Sequence, residues 1–365
     1  MSKAAELAAL IGSQSALSNR NLVINGAMQV AQRNTSVSGI SSGSNYQTVD
    51  RWIVNANSLG TWTVSQSSDA PDGFTSSQKY DCTTADASPA AGDYLIADHR
   101  IEAQNLQHLG YGTSAAKRIT VSFYVKSNKT GTYIFELSHS DASTASNNQQ
   151  TYTIDSANTW ERKSITFVGN TTDVINNDNG IGLFLFWWLG AGSNFTSGTL
   201  TQNTWANTTT ANRAVGQVNL ADSTSNEWYI TGVQLEVGEQ ATAFEHRSFA
   251  DELLRCQRYF TIVCGNDDNT FTNTHAWSSQ EVIGHLGFGK VEMRTNPTMS
   301  KSDNTHFQIR SGGTTETSDN VSFIQSNKLG HCRAEFSGSG GLTTGRGAWV
   351  RLNTTSGYIH ADAEL

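Results

Sequence analysis

The sequence predicts an all-β protein: a jelly-roll β-sandwich followed by a short helix and a second, smaller β-sandwich, with a short N-terminal helical segment. Three observations lead there. Charged residues make up only 15% and hydrophobic residues 37%, and Ser, Thr, Asn and Gly fill the difference, which suits many turns because Gly and Asn tolerate turn dihedrals. The chain nevertheless carries 15 Phe, 10 Tyr and 9 Trp, enough large apolar groups to build cores. Apolar residues also recur at every second position in run after run with almost no helical pattern between them, which marks antiparallel strands. The 365 residues divide on this reading into an N-terminal helical attachment segment (1–20), a jelly-roll domain (21–246), a linker helix (247–260) and a C-terminal β-sandwich (261–365).

The elements follow in order. Leu7, Leu10, Ile11 and Leu17 stand at helical spacing in a segment too short to hold a helix alone. It either frays or docks on another surface, and these four residues are the candidate attachment contacts. From Asn21 the period becomes two. "NLVINGAMQV" offers Leu22 and Ile24 before a glycine at a turn or bulge, and "VDRWIV" puts Trp52 and Val54 on one face. In "RITVSFYVKS", Ile119, Val121, Phe123 and Val125 alternate with Thr120, Ser122, Tyr124 and Lys126. "TYIFELSH" and "TWERKSITFVG" repeat the device, and "VQLEV" closes the series. "GIGLFLFWWLG" is apolar at every position but its glycines, as in a strand covered on both sides. Long polar loops are expected at Ser138 to Gln150 and Gly190 to Gln217.

After Val237 the pattern turns helical. Ser248 is a candidate N-cap with Asp251 in capping-box position. Phe249, Leu253, Cys256 and Phe260 follow at spacings of four, three and four, an apolar seam that serves either to pack the helix on a neighbouring sheet or to line an oligomer axis. Beyond it, "EVIGHLGFGKVEM", "HFQIR", "VSFIQ", "HCRAEF", "AWVRL" and "YIHADAEL" are the strands of the smaller sandwich, whose thin core favours burial against other subunits.

The search for chemistry excludes more than it finds. A net charge of −8 without a basic patch argues against nucleic acid, whose binding rests on Lys and Arg. The apolar run Ile181 to Gly190 is half the length of a membrane-spanning helix, so no membrane insertion is expected, and no secretion signal is read at the N-terminus. Cys82, Cys256, Cys264 and Cys332 lack metal-site spacing, and the His residues form no ligand pair. No metal or cofactor is expected. The turn "GNDDNT", with Asp267 and Asp268, reads as a turn before it reads as a calcium loop. Nucleophile-elbow, phosphate-loop and zinc-protease motifs are missing, so no catalytic residue is assigned and an enzyme is not expected; the alternatives to a non-catalytic binder are a purely architectural piece and a depolymerase of surface polysaccharide. Among the aromatics, adjacent strand residues point to opposite faces, so one of Trp187 and Trp188 faces away from the core. A sugar ring, a loop or a neighbouring subunit can cover it. Trp205, in the polar "TQNTWANTTT", is the third candidate for stacking on a glycan.

Two passages carry a resemblance. "SNRNLVINGAMQVAQRN" with "VDRWIV", and "WYITGVQLEVGEQATAFEHRSFADELLRCQRYF", resemble virion structural proteins of tailed bacteriophages, particularly marine ones, described as tail fibre or fibre-like. The likeness covers nearly all of Asn21 to Phe260, and the central region of such proteins is similar to the jelly roll of carbohydrate-binding modules. It implies a virion component made in the host cytoplasm, a homotrimer with other tail or head proteins and a host-surface glycan as partners. It transfers no catalytic residue.

Overall fold

The computed structural model describes residues 19–139, 141, 145–265 and 270–365. The attachment contacts Leu7, Leu10, Ile11 and Leu17 and the turn residues Asp267 and Asp268 lie outside the described residues. The chain forms two compact units, one ending at Glu252 and one spanning Leu253–Glu364. Both are built of antiparallel strands packed as sandwiches.

The N-terminal unit contains β1 (Ser36–Tyr46), β2 (Trp52–Ser67), β3 (Ser77–Thr84), β4 (Tyr94–Glu102), β5 (Ile119–Ser127), β6 (Gly131–His139), β7 (Ser146–Ile154), β8 (Glu161–Phe167), β9 (Ile181–Ala191), β10 (Ala206–Asn207) and β11 (Glu227–Val237). They pair along one path, β10-β7-β6-β9-β4-β2-β3-β11-β5-β8, with β1 beside β2. The path folds into two layers at β2. Its first half, Trp52–Ser58, pairs with β4, and its second half, Thr61–Ser67, pairs with β3. The bend between the halves carries Ser58 and Gly60 at positive φ. A side chain at Gly60 would stand 2.5 Å from the Thr84 carbonyl oxygen, so only glycine fits there. Successive strands from β4 to β9 then cross between the layers, except for the β6–β7 hairpin. This alternation is jelly-roll behaviour.

The interior lies between the layers. Phe123 of β5 meets Trp187 of β9 edge-on at 5.7 Å, Tyr152 of β7 at 5.1 Å and Phe135 of β6 at 6.3 Å. Trp187 also packs against Phe135 and Trp52 at 4.7 and 5.3 Å. These rings are almost wholly buried. Every inward residue expected on β5, from Ile119 to Val125, lies in this core, as do Trp52 and Val54. The strand β9 is covered on both faces, as its composition requires. Leu183, Leu185, Trp187 and Leu189 face the main core, whereas Phe186 and Trp188 enter a second cluster with Phe184 and Phe195 beneath the chain after β9.

Three local expectations are corrected. The segment at Leu22 and Ile24 is not a strand but a series of turns, in which Val23, Ala27, Met28 and Val30 are the buried apolar residues while Leu22 and Ile24 are only half-buried. It is held by Asn25, at φ 58°, whose amide donates to the Val30 and Asp50 carbonyls at 2.8 and 2.9 Å while its oxygen accepts from Val30. The supposed loop Ser138–Gln150 contains the start of β7, where Asn147 and Asn148 are buried polar residues that no alternation of apolar residues could reveal. The loop after Gly190 holds a helical turn at Ser193–Thr196 and the short strand β10.

The C-terminal unit comprises β12 (Phe260–Gly265), β13 (Thr270–Ala276), β14 (Glu281–Gly287), β15 (Thr298–Lys301), β16 (Phe307–Ser311), β17 (Thr314–Thr317), β18 (Asn320–Asn327), β19 (His331–Ser337), β20 (Gly347–Leu352) and β21 (Tyr358–Asp362). They form a seven-stranded sheet, β17-β16-β20-β13-β14-β19-β18, and a three-stranded one, β12-β21-β15. All six runs expected as strands contribute one. Phe307 and Phe336 meet at 5.9 Å in a core that is otherwise rich in alanine.

Trp187 is the test of the inter-layer packing. Replacing a buried Trp with Ala costs about 3–5 kcal/mol, so Trp187→Ala lowers the urea midpoint of the first unfolding transition sharply. Trp187→Phe costs much less, because the Trp187 indole N–H is buried without an acceptor. Equal losses from the two variants would contradict this packing.

Candidate functional site

With the inner faces of the N-terminal unit filled, the outer faces are the surfaces open to a ligand. On β5, β8 and β11, the residues that alternate with the core set point outward: Tyr124 and Lys126, Arg162, and Tyr229 and Thr231, which stand opposite one another in register. The pair Trp228–Tyr229 follows the same logic as Trp187–Trp188. Trp228 is fully buried against Tyr80 at 5.6 Å, and Tyr229 lies on the outer side.

A compact charged and aromatic cluster surrounds Tyr229. The Lys126 ammonium sits 4.4 Å above the Tyr229 ring and 5.5 Å from the Trp160 ring, and Trp160 meets Tyr229 edge-on at 6.1 Å. Trp160 donates its indole N–H to Asp69 Oδ1 at 3.0 Å, and Lys126 donates to Asp69 Oδ2. On the other flank, Lys79 Nζ donates to Glu227 Oε1 at 2.7 Å and lies 5.6 Å from the Tyr229 ring, while the Tyr229 hydroxyl donates to Glu227 Oε2. The Lys126 side chain is 12% exposed, which places its cation–π contacts in the partly desolvated regime, about 1–2 kcal/mol. Further along the face, Phe74 packs on Tyr124, Phe244 and His246 at 5.0 to 5.4 Å. The result is a strip of rings with donors and acceptors fixed around Trp160, whose own ring is half-buried.

The electrostatics agree with a pre-set site. Burial pushes the Asp69 carboxyl up, but the hydrogen bonds from Lys126 and Trp160 outweigh it and hold Asp69 below its ordinary range. Burial likewise raises Glu227, and hydrogen bonds from Lys79 and Tyr229 bring it below the usual value. Burial and the Glu227 hydrogen bond push the Tyr229 hydroxyl up.

The stacking candidates from the sequence lie elsewhere. Trp187 and Trp188 are fully buried, so neither offers a face to a sugar. Trp187 is core. Trp188 does point away from the main core but is roofed by Phe195 at 5.3 Å and by the Arg213 guanidinium at 5.0 Å, and its indole donates to Glu136 Oε2 at 2.8 Å. Trp205 is half-buried, edge-on to Tyr111 at 5.8 Å, with its N–H on the Val168 carbonyl. The seam residues also separate. The helix runs Phe249–Gln257, capped as expected by Ser248, whose hydroxyl accepts from the Asp251 amide at 3.2 Å. Phe249 is 56% exposed and Cys256 is buried, with Leu253 half-buried between them. Phe260 is not on the helix: it opens β12, opposite Asp362. The seam therefore ends one turn short.

Two buried carboxylates share the outer face of the other layer, where Asp98, Phe186 and Glu136 stand side by side on β4, β9 and β6. Neither is exposed. Glu136 accepts from Arg213, Asn147 and Trp188. Burial pushes Asp98 up to about 6, against the Arg100 guanidinium beside it. Among the described residues no group of three or more His, Cys, Asp or Glu could hold a metal ion, and no helix is long and apolar enough to cross a membrane.

No protein-family model matches the chain, and no curated protein matches it. Among solved structures it is similar to the enzymatically active domain of tailspike protein 4 of bacteriophage CBA120, at 12% identity and a TM-score of 0.32, over 60% of this chain and 22% of that one. It is also similar to a putative sugar binding protein from Bacteroides thetaiotaomicron, at 11% identity and a TM-score of 0.32, over 60% of this chain and all of that one. A third is the xylan-binding CBM22-2 domain from Paenibacillus barcinonensis, at 14% identity and a TM-score of 0.28, over 52% and 92% of the two chains.

Because the folded-state pKa values of Asp69 and Glu227 are depressed, their contribution to stability is present above the unfolded values, near 4, and is lost as pH falls through the lower folded values. Carboxyl-carbon NMR titration is expected to place both midpoints below those of free Asp and Glu. Lys126→Met is expected to move Asp69 back up while leaving Glu227 low. Ordinary midpoints in the wild-type chain would show that the cluster does not form in solution.

Proposed function

We propose that the protein is a non-catalytic glycan-binding component of a phage particle, a tail fibre or fibre-like part that holds the virion to its host. The Trp160 cluster carries this reading. A half-buried indole whose edge is anchored by Asp69, flanked by Lys126, Lys79 and Glu227, offers an apolar platform for a sugar ring and charge-assisted partners for its hydroxyls. The two buried carboxylates support binding over hydrolysis. Glycosidases place two carboxyl groups on either side of an accessible bond, whereas Asp98 and Glu136 are sealed and engaged by arginines. Placement in a virion rests on the sequence resemblance of the Asn21 and Trp228 passages. Assembly as a homotrimer rests on that resemblance and on the exposed Phe249 and Leu254 of the helix. Several weak sites on one particle then act together. An architectural head fibre or tail adaptor is the alternative for the same fold, and it would bind no saccharide.

The test is a binding screen of the purified chain against bacterial surface polysaccharides. A bound polysaccharide is expected to lose about tenfold in affinity with Trp160→Ala, about 1.4 kcal/mol, to release no new reducing ends, and to be held by a particle with the mass of three chains in light scattering. Unchanged binding by Trp160→Ala would reject the site, and accumulating reducing ends would reject the passive mechanism.

A further inference from the structure

The C-terminal unit exposes a second aromatic face that the Trp160 cluster does not explain. On β13, Asn273 and His275 fall on one side, because every second residue shares a face, and Trp277, one residue beyond the strand, has its ring 6.5 Å from that of His275. They lie opposite the core set of Thr272, Thr274 and Ala276. Trp277 ends the series at the β13–β14 turn, where its amide donates to the Glu281 carbonyl, and it is 64% exposed, the most exposed of the large hydrophobic residues described. A single exposed ring is ordinary on a protein surface; Trp277 gains meaning from the aromatic and cationic residues that share its sheet.

Its neighbours define what would sit on it. Across the ladder, Asn273 stands opposite Trp349 of β20, which stands opposite Arg310 of β16. The Arg310 guanidinium lies 5.2 Å from the Trp349 ring. Among the described residues Arg310 has no ion-pair partner, and its Nε is buried without an acceptor. One step along, Arg351 shares the same face beside Gln308, to which its Nε donates at 2.8 Å. Trp277 and Trp349 are two platforms on one sheet, separated by roughly 13 Å along the strand direction and one strand spacing across it. Where the β13–β14 ladder stops, at Thr274 and Gly284, a recess of about 360 Å³ opens beside Asn273 and His285.

Among the described residues, the outward charge on the strands of this half of the sheet has one sign. The outward residues of β17, β16, β20 and β13 include arginines and a histidine but neither Asp nor Glu, although the whole chain is acidic at −8. The outward acids Glu281 and Glu335 lie on β14 and β19, the latter engaged by Arg333 at 2.7 Å. Arginine beside an indole suits a carboxylate or sulfate on a ring-shaped ligand, because its planar fork pairs with the anion while the apolar ring face rests on Trp. We infer that this face of the C-terminal sheet is a second binding site, selective for an acidic saccharide, with Trp277 and Trp349 as platforms and Arg310 as the anion contact. It does not depend on the Trp160 face binding anything.

Calorimetry with the full chain and three size-matched polymers tests it: polygalacturonate (carboxylate), dextran sulfate (sulfate) and dextran (neutral). At least one anionic polymer is expected to bind about tenfold or more tighter than dextran, with affinity falling as salt is raised, and which anionic polymer binds tighter identifies the anion. In a Trp160→Ala background, which removes the first platform, Trp277→Ala and Arg310→Gln are each still expected to weaken that binding about tenfold, so failure here is distinguishable from failure of the first site. Trp277 is exposed, so its removal leaves the fold intact, which circular dichroism checks. Equal binding of all three polymers would overturn the inference. So would anionic binding indifferent to both variants, or a fall in particle mass on Trp277→Ala, which would make that ring a subunit contact.

Discussion

The N-terminal unit depends on one packing contact, Phe123 of one layer set among Trp187, Phe135 and Tyr152 of the other. Everything else in that unit can be traced to it. Two sheets of short strands bury enough apolar surface only if their inner faces interlock. That requires β2 to leave one layer and enter the other, which the Ser58–Gly60 bend allows. It also commits the inward rings of this unit, among the described residues, to the core. What remains for recognition is the outward half of each strand, and there the residues are held rigid by the same ladders that build the core.

The segment from Trp228 to the helix has a role that its helical pattern alone does not convey. The turns after Asn19 dock on it. Leu22 and Leu235 share a backbone hydrogen bond, as do Val233 and Gly26, and a side chain at Gly26 would stand 2.1 Å from the Val233 carbonyl oxygen. Glu252 accepts from the Asn25 amide at 2.6 Å, and Arg247 donates to the carbonyls of Asn21 and Val23. The two passages that resemble phage virion proteins are therefore one interlocked structure, and the arginines and acids between Glu245 and Glu252 satisfy backbone groups that the missing strand pairing would otherwise leave open. The polar chemistry of this stretch is used for closure of the sandwich, and Phe249 and Leu254 are the large apolar residues of its helix that remain in solvent.

Much of the fold was legible because apolar alternation reports burial directly. It found β5, β6, β8, β9, β11 and six strands of the C-terminal unit. It missed β10, β12, β13, β15 and β17, and also β1, β3, β4 and β7, whose sequences "SVSGISSGSNY", "SQKYDCTT", "YLIADHRIE" and "SNNQQTYTI" either lie mostly in solvent or bury polar groups such as Gln78, Asp98 and Asn148. The candidate site was less legible still. That one of two adjacent tryptophans faces outward held for Trp188, but no sequence rule says that the chain after β9 returns to cover it. Tyr229 could have been reached by the same parity argument applied to "WY". Asp69, in the turn before β3, and Trp160, just ahead of β8, converge only in three dimensions.

The central claim is that this chain grips with outward strand residues and leaves its filled interior untouched. Side-chain oxidation footprinting of the full chain, with and without a saturating bound polysaccharide, tests that most directly. The account predicts protection at Trp160, with Trp52, Trp62, Trp187, Trp188 and Trp228 unreactive in both states. Reactivity at Trp160 that the polysaccharide does not change, or oxidation of the buried tryptophans that it suppresses, would contradict it.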